Sequence, residues 1–454
     1  MSVEPAGAVL PVDGQWRRLS PLSPVVRAAA ALVGILVIVP NLVANGLDPR
    51  KSGNRVVSLV VTASLIVVTV VGAVVSWLVT RWRIAGGNLQ IETGLIRRQS
   101  YRVPLARIQA VDVVAPLTAR LLGVAEVRIV SAGRGHERGR LAYVRTEEAN
   151  AIRSQLLALA HGLVAETPEP PAYPLMQVDS GRLAVSLLLR GGVAMPLLLL
   201  LALTIVAVTG NLGQAVVDAG LGSIVAAMVV HLMAIAQAFN ADYGFRINEA
   251  ADGFRLDRGL LQTRHETIPF GRIQAVRVVE PLLWRLFGWS RLEVDVARQH
   301  VTRRADPAAH MISRVLMPVA SREHVLWLLS RVTPSAQPAP PPGAQPPRRA
   351  LWKAPLSWHF LAAWHDGRYF YARTGRVTAA TVILPLAKLQ SGRLSSGPVQ
   401  RALRLATVHA DSAGHRWSAQ ARCRDQQEAE EMLWQLVGDA RAARRQAASA
   451  AVVA

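Results

Sequence analysis

Thiols and acids are scarce in this sequence. Its 454 residues include one cysteine, Cys423, so no disulfide can close within a chain and no thiolate metal cluster can be built. Asp and Glu number 30 against 51 Lys and Arg, and no two acids are placed for general acid–base work. The patterns HExxH, CxxC, GxxxxGK[ST] and GxSxG are all missing. None of the 11 histidines has a second ligand three or four residues away on a convincing helix. These absences describe a non-enzyme with no catalytic residues, no cofactor and no metal. The first 27 residues are polar and proline-spotted, and no cleaved leader is expected from them.

Positive charge and apolar blocks are what the chain has in quantity. A net charge of +21 calls for an anionic neighbour, either nucleic acid or an anionic lipid surface. Arginine pairs punctuate the chain at Arg17–Arg18, Arg97–Arg98, Arg303–Arg304, Arg348–Arg349 and Arg444–Arg445. Several sit close to apolar segments, which favours the lipid surface over nucleic acid. The mean hydropathy of +0.26 comes from two blocks, Arg27 to Arg81 and Arg182 to Asn240. A bilayer core about 30 Å thick needs about 20 apolar helical residues. Four stretches qualify: Ala28–Leu47, Val56–Thr80, Gly191–Gly210 and Ala219–Phe239. The first is weakened by Pro40, Asn41 and Asn45, and the fourth carries His231 and Gln237. His231 reads as a helix-packing contact or as a functional polar group. The four stretches predict two transmembrane hairpins in a multi-pass plasma-membrane protein. Basic flanks put both termini and the soluble modules in the cytoplasm, although Arg50, Lys51 and Arg55 argue the other way.

The most informative feature is an internal repeat. From Gly94 the chain reads GLIRRQSYRVPLARIQAVDVVAPLTARLLGVAEVRI, and from Gly259 it reads GLLQTRHETIPFGRIQAVRVVEPLLWRLFGWSRLEV. The 165-residue offset needs no gap, and RIQAV recurs whole. A fainter copy lies 281 residues on, where Gly94, Pro104, Leu105, Arg107, Gln109 and Arg120 map to Gly375, Pro385, Leu386, Lys388, Gln390 and Arg401. Short β-rich runs (Asn88–Thr93, Leu95–Leu105, Ile108–Val114, Val124–Ser131, Leu141–Val144) alternate with glycine turns. Pro116–Gly123 predicts a one-turn helix. Each copy ends in an amphipathic helix, starting near Thr146, Ser321 and Asp425.

The pattern GL[IL]…P[LF]xRIQAV…PLxxR[LF][FL]G resembles the bacterial pleckstrin-homology-like domain of membrane proteins of the YdbT/YdbS type. Two hairpins with three modules resemble the longer, YdbT-type member. The resemblance covers nearly the whole chain and is fainter in copy three, where Gly392 replaces a valine and Arg404 a glycine. It implies a PH-like split β-barrel per module, capped by a helix, and no activity. An association with resistance to envelope-directed antimicrobials is also implied.

The fold class expected is therefore α+β with membrane segments: four transmembrane helices plus three PH-like split β-barrel modules, each closed by a C-terminal helix. The division runs 1–27 N-terminal segment, 28–80 hairpin, 81–164 module one, 165–182 linker, 183–239 hairpin, 240–333 module two, 334–349 proline-rich linker, 350–446 module three and 447–454 tail. The linker Pro334–Pro347 reads as a semi-rigid spacer that lets module three stand apart. Function is expected to be display of these modules at the cytoplasmic face, binding protein partners, each other or lipid headgroups. A small transporter or channel regulated by its modules is the alternative. Candidate anionic-lipid contacts are Arg97, Arg98, Arg102 and Arg134. The glycine-rich run Gly133–Arg140 admits a phosphate cradle or a plain hairpin loop. Gln109, Gln274 and Gln390 recur at one place in every copy, as structural amides at a bulge or as shared ligand contacts.

Overall fold

The computed structural model describes residues 14–26, 28–29, 53–94, 98–131, 139–160, 171–190, 200–201, 204–205, 208, 214–251, 253–296, 314–414 and 417–453. The chain divides into two compact units. Met1–Pro174 with Asn248–Pro269 make unit one, and Leu175–Ile247 with Phe270–Ala454 make unit two.

After β1 (Arg17–Arg18) and α1 (Gly53–Val79), module one runs β2 (Arg81–Ala85), β3 (Asn88–Thr93), β4 (Gln99–Pro104), β5 (Ile108–Ala115), α2 (Leu117–Leu121), β6 (Val124–Ser131), β7 (Gly139–Arg145) and α3 (Thr146–Ala160). Then come β8 (Tyr173–Gln177), α4 (Ser180–Arg190) and α5 (Gln214–Asp242). Module two is β9 (Arg246–Ala250), β10 (Gly253–Arg258), β11 (Thr263–Pro269), β12 (Ile273–Pro281), α6 (Leu282–Leu286), β13 (Trp289–Val296), β14 (Arg314–Ser321) and α7 (Arg322–Val332). Module three is β15 (Ala362–His365), β16 (Tyr369–Thr374), β17 (Thr378–Pro385), β18 (Leu389–Ser395), α8 (Pro398–Ala402), β19 (Leu405–Ser412), β20 (Ala419–Asp425) and α9 (Gln426–Val453). The repeat is a repeat of structure: β3, β10 and β16 fall at the two sequence offsets with no residue gained or lost, as do β6, β13 and β19.

In module one, alternation sends Trp82, Ile84, Leu89, Ile91 and Val103 of the first sheet inward. They meet Val111, Val113, Val127 and Leu141 of the second, and Ile152 and Leu156 of α3 close the core. Module three repeats this with Phe370, Leu384, Leu389, Val408 and, from α9, Leu436. Burying strand edges and one helix face together is what makes so small a sheet pair stable.

The sheets run across module boundaries. In unit one, β1-β2-β3-β4 form one antiparallel sheet, and β7-β6-β5 continue through β11 to β10 in another. In unit two, β14-β13-β12 continue through β17 to β16 and β15, while β18-β19-β20 stand as a separate sheet. Module two is thus split between the units at Pro269 and Phe270. The proline-rich segment does not hold module three apart. Its chain is docked on module three, with Gln337 N donating to Tyr371 Oη at 2.9 Å and Ala344 O accepting from Ala363 N at 2.9 Å.

Two backbone devices recur. Gly94, Gly259 and Gly375 all have left-handed φ, at 100°, 113° and 96°. A Cβ on Gly259 would lie 1.8 Å from Gln262 O and one on Gly375 1.9 Å from Thr378 O, so only glycine fits. The second device is a β-bulge after the 3-10 turn that follows each proline. Register shifts between Ile108 and Ala110, between Ile273 and Ala275, and between Leu389 and Ser391. The extra residue is the recurrent glutamine each time.

Four transmembrane helices are not what the structure shows, and this part of the expected fold class is corrected. Among the described residues no helix is long and apolar enough to cross a membrane. Ala28–Leu47 and Gly191–Gly210 lie almost wholly outside the described residues. The other two stretches fall in α1 and α5, which are described in full only over Ala63–Val79 and Ala226–Asp242. His231, Gln237, Asn240 and Asp242 interrupt the apolar run of the second. Both helices present apolar side chains at the surface, among them Val67, Val68, Val230 and Met233. The multi-pass plasma-membrane placement rested on these spans and is corrected with them. What stands is a mostly β architecture of repeated modules.

Candidate anion-binding face

Strand β2 reads Arg-Trp-Arg-Ile. Trp82 and Ile84 are buried in the module-one core, which turns Arg81 and Arg83 to the outer face of the sheet. Register carries that face across the sheet, from Arg83 to Gln90 to Arg102. On the other side Arg18 stands opposite Arg81. Trp16, just before β1, lies under two guanidinium groups, with Arg81 Cζ 4.6 Å and Arg83 Cζ 4.3 Å from its ring centre. Arg83 Nε donates to Gln90 Oε1 at 2.9 Å. Glu92 is the acid on this face, and Arg81 holds it with an Nη2–Oε2 distance of 2.7 Å. Arg18, Arg81, Arg83 and Arg102 therefore outnumber one neutralised carboxylate. Guanidinium groups present planar, bidentate donors that suit phosphate oxygens, and a tryptophan beside them suits an interface that is wet on one side.

Of the residues singled out from sequence, Arg102 lies on this face and is exposed. Arg98, just before β4, is exposed too. Arg97, Arg134 and most of the run 133–140 lie outside the described residues. Gln109 is the extra residue of its bulge, and its side chain is also outside what is described. Gln274 is buried and its Nε2 donates to Arg272 O at 3.3 Å, whereas Gln390 is exposed. The sequence marks Arg18, Arg81 and Arg83 only as basic flanks of apolar stretches and does not single out Trp16. The Arg-Trp-Arg-Ile alternation was a legible signal for two of them. No pattern in the sequence joins Trp16 to residues 65 and more positions away.

Three stretches, 28–160, 196–334 and 325–440, match the family model of the bacterial PH domain. The chain belongs to the bacterial PH domain family. No curated protein and no solved structure matches it.

The three PH modules carry different chemistry on equivalent positions of the first-sheet outer face. Arg83, Gln90, Glu92, Ser100 and Arg102 of the first become Asn248, Arg255, Asp257, His265 and Thr267 in the second. In unit one these second-module residues are engaged. His265 Nδ1 lies 2.6 Å from Asp257 Oδ1, Asn248 donates to Asp257 Oδ2 at 3.0 Å, and Arg153 of α3 donates to Thr267 Oγ1 at 3.3 Å. Burial alone would raise the Asp257 pKa. The His265 hydrogen bond and charge, the charge of Arg153 and the Asn248 bond together hold it below the ordinary carboxylate value. In the third PH module the positions are Trp364, Tyr371, Arg373, Thr381 and Ile383, where Trp364 and Tyr371 stack at 4.9 Å. Arg373 and Thr381 line a small cavity with Val325 and Leu326 of α7. In both later PH modules the C-terminal helix of the preceding PH module lies against this face.

Proposed function

We propose that this protein is a non-catalytic binding protein whose first PH module engages an anionic lipid surface through Trp16, Arg18, Arg81, Arg83 and Arg102. The observation that carries the reading is a contrast. The outer face is engaged by a helix in the second and third modules, and among the described residues it is basic, aromatic and uncovered by a helix in the first. A net charge of +21 adds long-range attraction to such a surface. The later modules serve as the scaffold that carries this face and as sites for protein contact.

Each arginine near an anionic leaflet contributes about 1 kcal/mol, screened over about 8–10 Å at physiological salt. The test is sedimentation of the full-length chain with vesicles containing phosphatidylglycerol and with phosphatidylcholine vesicles. Binding to the anionic vesicles should fall steeply with salt. The Arg81→Gln/Arg83→Gln/Arg102→Gln variant should bind about 100-fold more weakly, three such contributions having been removed. Equal binding to both vesicle types, or binding indifferent to salt, would sink the proposal.

A further inference from the structure

The two joints between modules have the same register. At the first, Val113 of β5 stands opposite His265 of β11 and Val114 opposite Arg264. At the second, Val278 of β12 stands opposite Thr381 of β17 and Val279 opposite Ala380. Val278 is the repeat equivalent of Val113, and Thr381 is that of His265. The joint is therefore a defined device: the first strand of one module's second sheet pairs antiparallel with the last strand of the next module's first sheet.

Among the described residues, the first and third modules each have half of this device left over. Strand β4, equivalent to β11 and β17, pairs with β3 alone among the described residues. Strand β18, equivalent to β5 and β12, pairs with β19 alone among the described residues. Both are largely exposed, with unused backbone donors and acceptors along one edge. The helix that covers the joint is matched as well. Leu326 of α7 lies against the third module's outer face, and its equivalent in α9 is Glu430, followed by Glu431. Both acids are exposed. The face that such a helix would meet on module one is the arginine face described above. Acidic helix and basic sheet are complementary.

We infer that the occupant of the β4 edge is strand β18 of a second copy of this chain, with the acidic start of that copy's α9 over the arginine face. The shared register places Ser395 opposite Gln99 and Leu394 opposite Ser100. Such a contact is heterologous, so it builds a ring or an open head-to-tail chain rather than a closed pair. Ser395 stands where Val114 and Val279 are buried, so this joint keeps the backbone ladder with less apolar cover than the internal ones. Association is accordingly reversible and concentration-dependent. The inference does not rest on the lipid reading and names a competing occupant of the same arginine face, which a membrane and the α9 of a second copy cannot cover at once.

The experiment mixes two full-length chains, both carrying Cys423→Ser, one with Ser395→Cys and the other with Gln99→Cys. Mild oxidation should give a mixed disulfide dimer. Replacing the first by Arg393→Cys, two residues out of register, should lower the yield several-fold. Light scattering of the unmodified chain should show mass rising with concentration. No mixed dimer, equal yield from the shifted pair, or constant monomer mass would each overturn the inference. Vesicle binding is read separately, so failure of one proposal leaves the other standing.

Discussion

The first and third modules share a backbone and almost none of their outer-face chemistry. Both have the left-handed glycine before the last strand of the first sheet, the proline and 3-10 turn after it, and the bulge at the next strand's second residue. Yet where the first has Arg83, Gln90 and Arg102, the third has Trp364, Tyr371 and Ile383. The difference follows from cover. Tyr371 and Ile383 are fully buried, the former accepting a backbone hydrogen bond from the docked proline-rich segment. An uncovered face can be charged, and a covered one must be apolar or internally paired. Positions that steer the backbone are held across copies, while positions on the faces follow their surroundings.

The sharpest way to break this comparison is at the glycine. Gly375→Ala adds a Cβ to a backbone at φ 96° and drives it into Thr378 O. The expected cost is about 3 kcal/mol, seen as an earlier unfolding transition of the full-length chain in urea. A change under about 1 kcal/mol would mean the turn is not the fixed device inferred here.

The bulge glutamines should divide. Gln274 is buried with its amide tied to Arg272 O, so Gln274→Ala should cost about 1 kcal/mol. Gln390 is exposed on the same device, and Gln390→Ala should change stability by less than about 0.5 kcal/mol. Equal losses at the two would show that the amide itself makes the bulge. Loss of vesicle or self-association without loss of stability would make the glutamines contact residues.

The smallest effect is on acid stability. The Asp257 pKa in the fold lies below its unfolded value of about 3.9. Its carboxylate therefore stabilises unit one above that pH, and the contribution fades as pH falls through the folded value. Asp257→Asn should lower stability at pH 7 and flatten the acid limb of the stability curve below about pH 4. An unchanged acid limb would remove the His265–Asp257–Asn248 group from any stabilising role.

Much of the module was legible because its signals are local. Asn88–Thr93 and Val124–Ser131 are strands with the bounds their alternation suggests, and the one-turn helix sits between Pro116 and Gly123 as the proline and glycine require. The closing helices begin where Thr146, Ser321 and Asp425 were expected to start them. The departures in copy three also have reasons. A Cβ at Gly392 would come 2.5 Å from Leu433 of α9, which lies closely over β18, while Arg404 takes the left-handed φ of 51° that glycines take elsewhere. What stayed hidden was non-local. Pairing of β5 with β11 joins residues about 150 apart, and no periodicity records which edge meets which. The arginine face was half seen for the same cause: Arg102 stood in a recognisable motif, but Trp16 and Arg18 reach it only through the fold. Apolar length alone suggested spans, and the described helices did not support that reading.

Because each internal joint is one continuous sheet, the repeat of the sequence and the block that folds are out of phase by half a module. The natural seam lies inside module two, at the turn Phe270–Arg272, and not at the proline-rich segment where a molecular biologist would cut. A truncation after Thr333 strips β12 of its partner β17 on one edge and bares Val278 and Val279 there, leaving an apolar edge that invites foreign strands. A gain or loss of one module is tolerable only when both break points fall at equivalent seams. The gap-free spacing of the three copies as far as β6, β13 and β19 is what a chain lengthened in that way would retain.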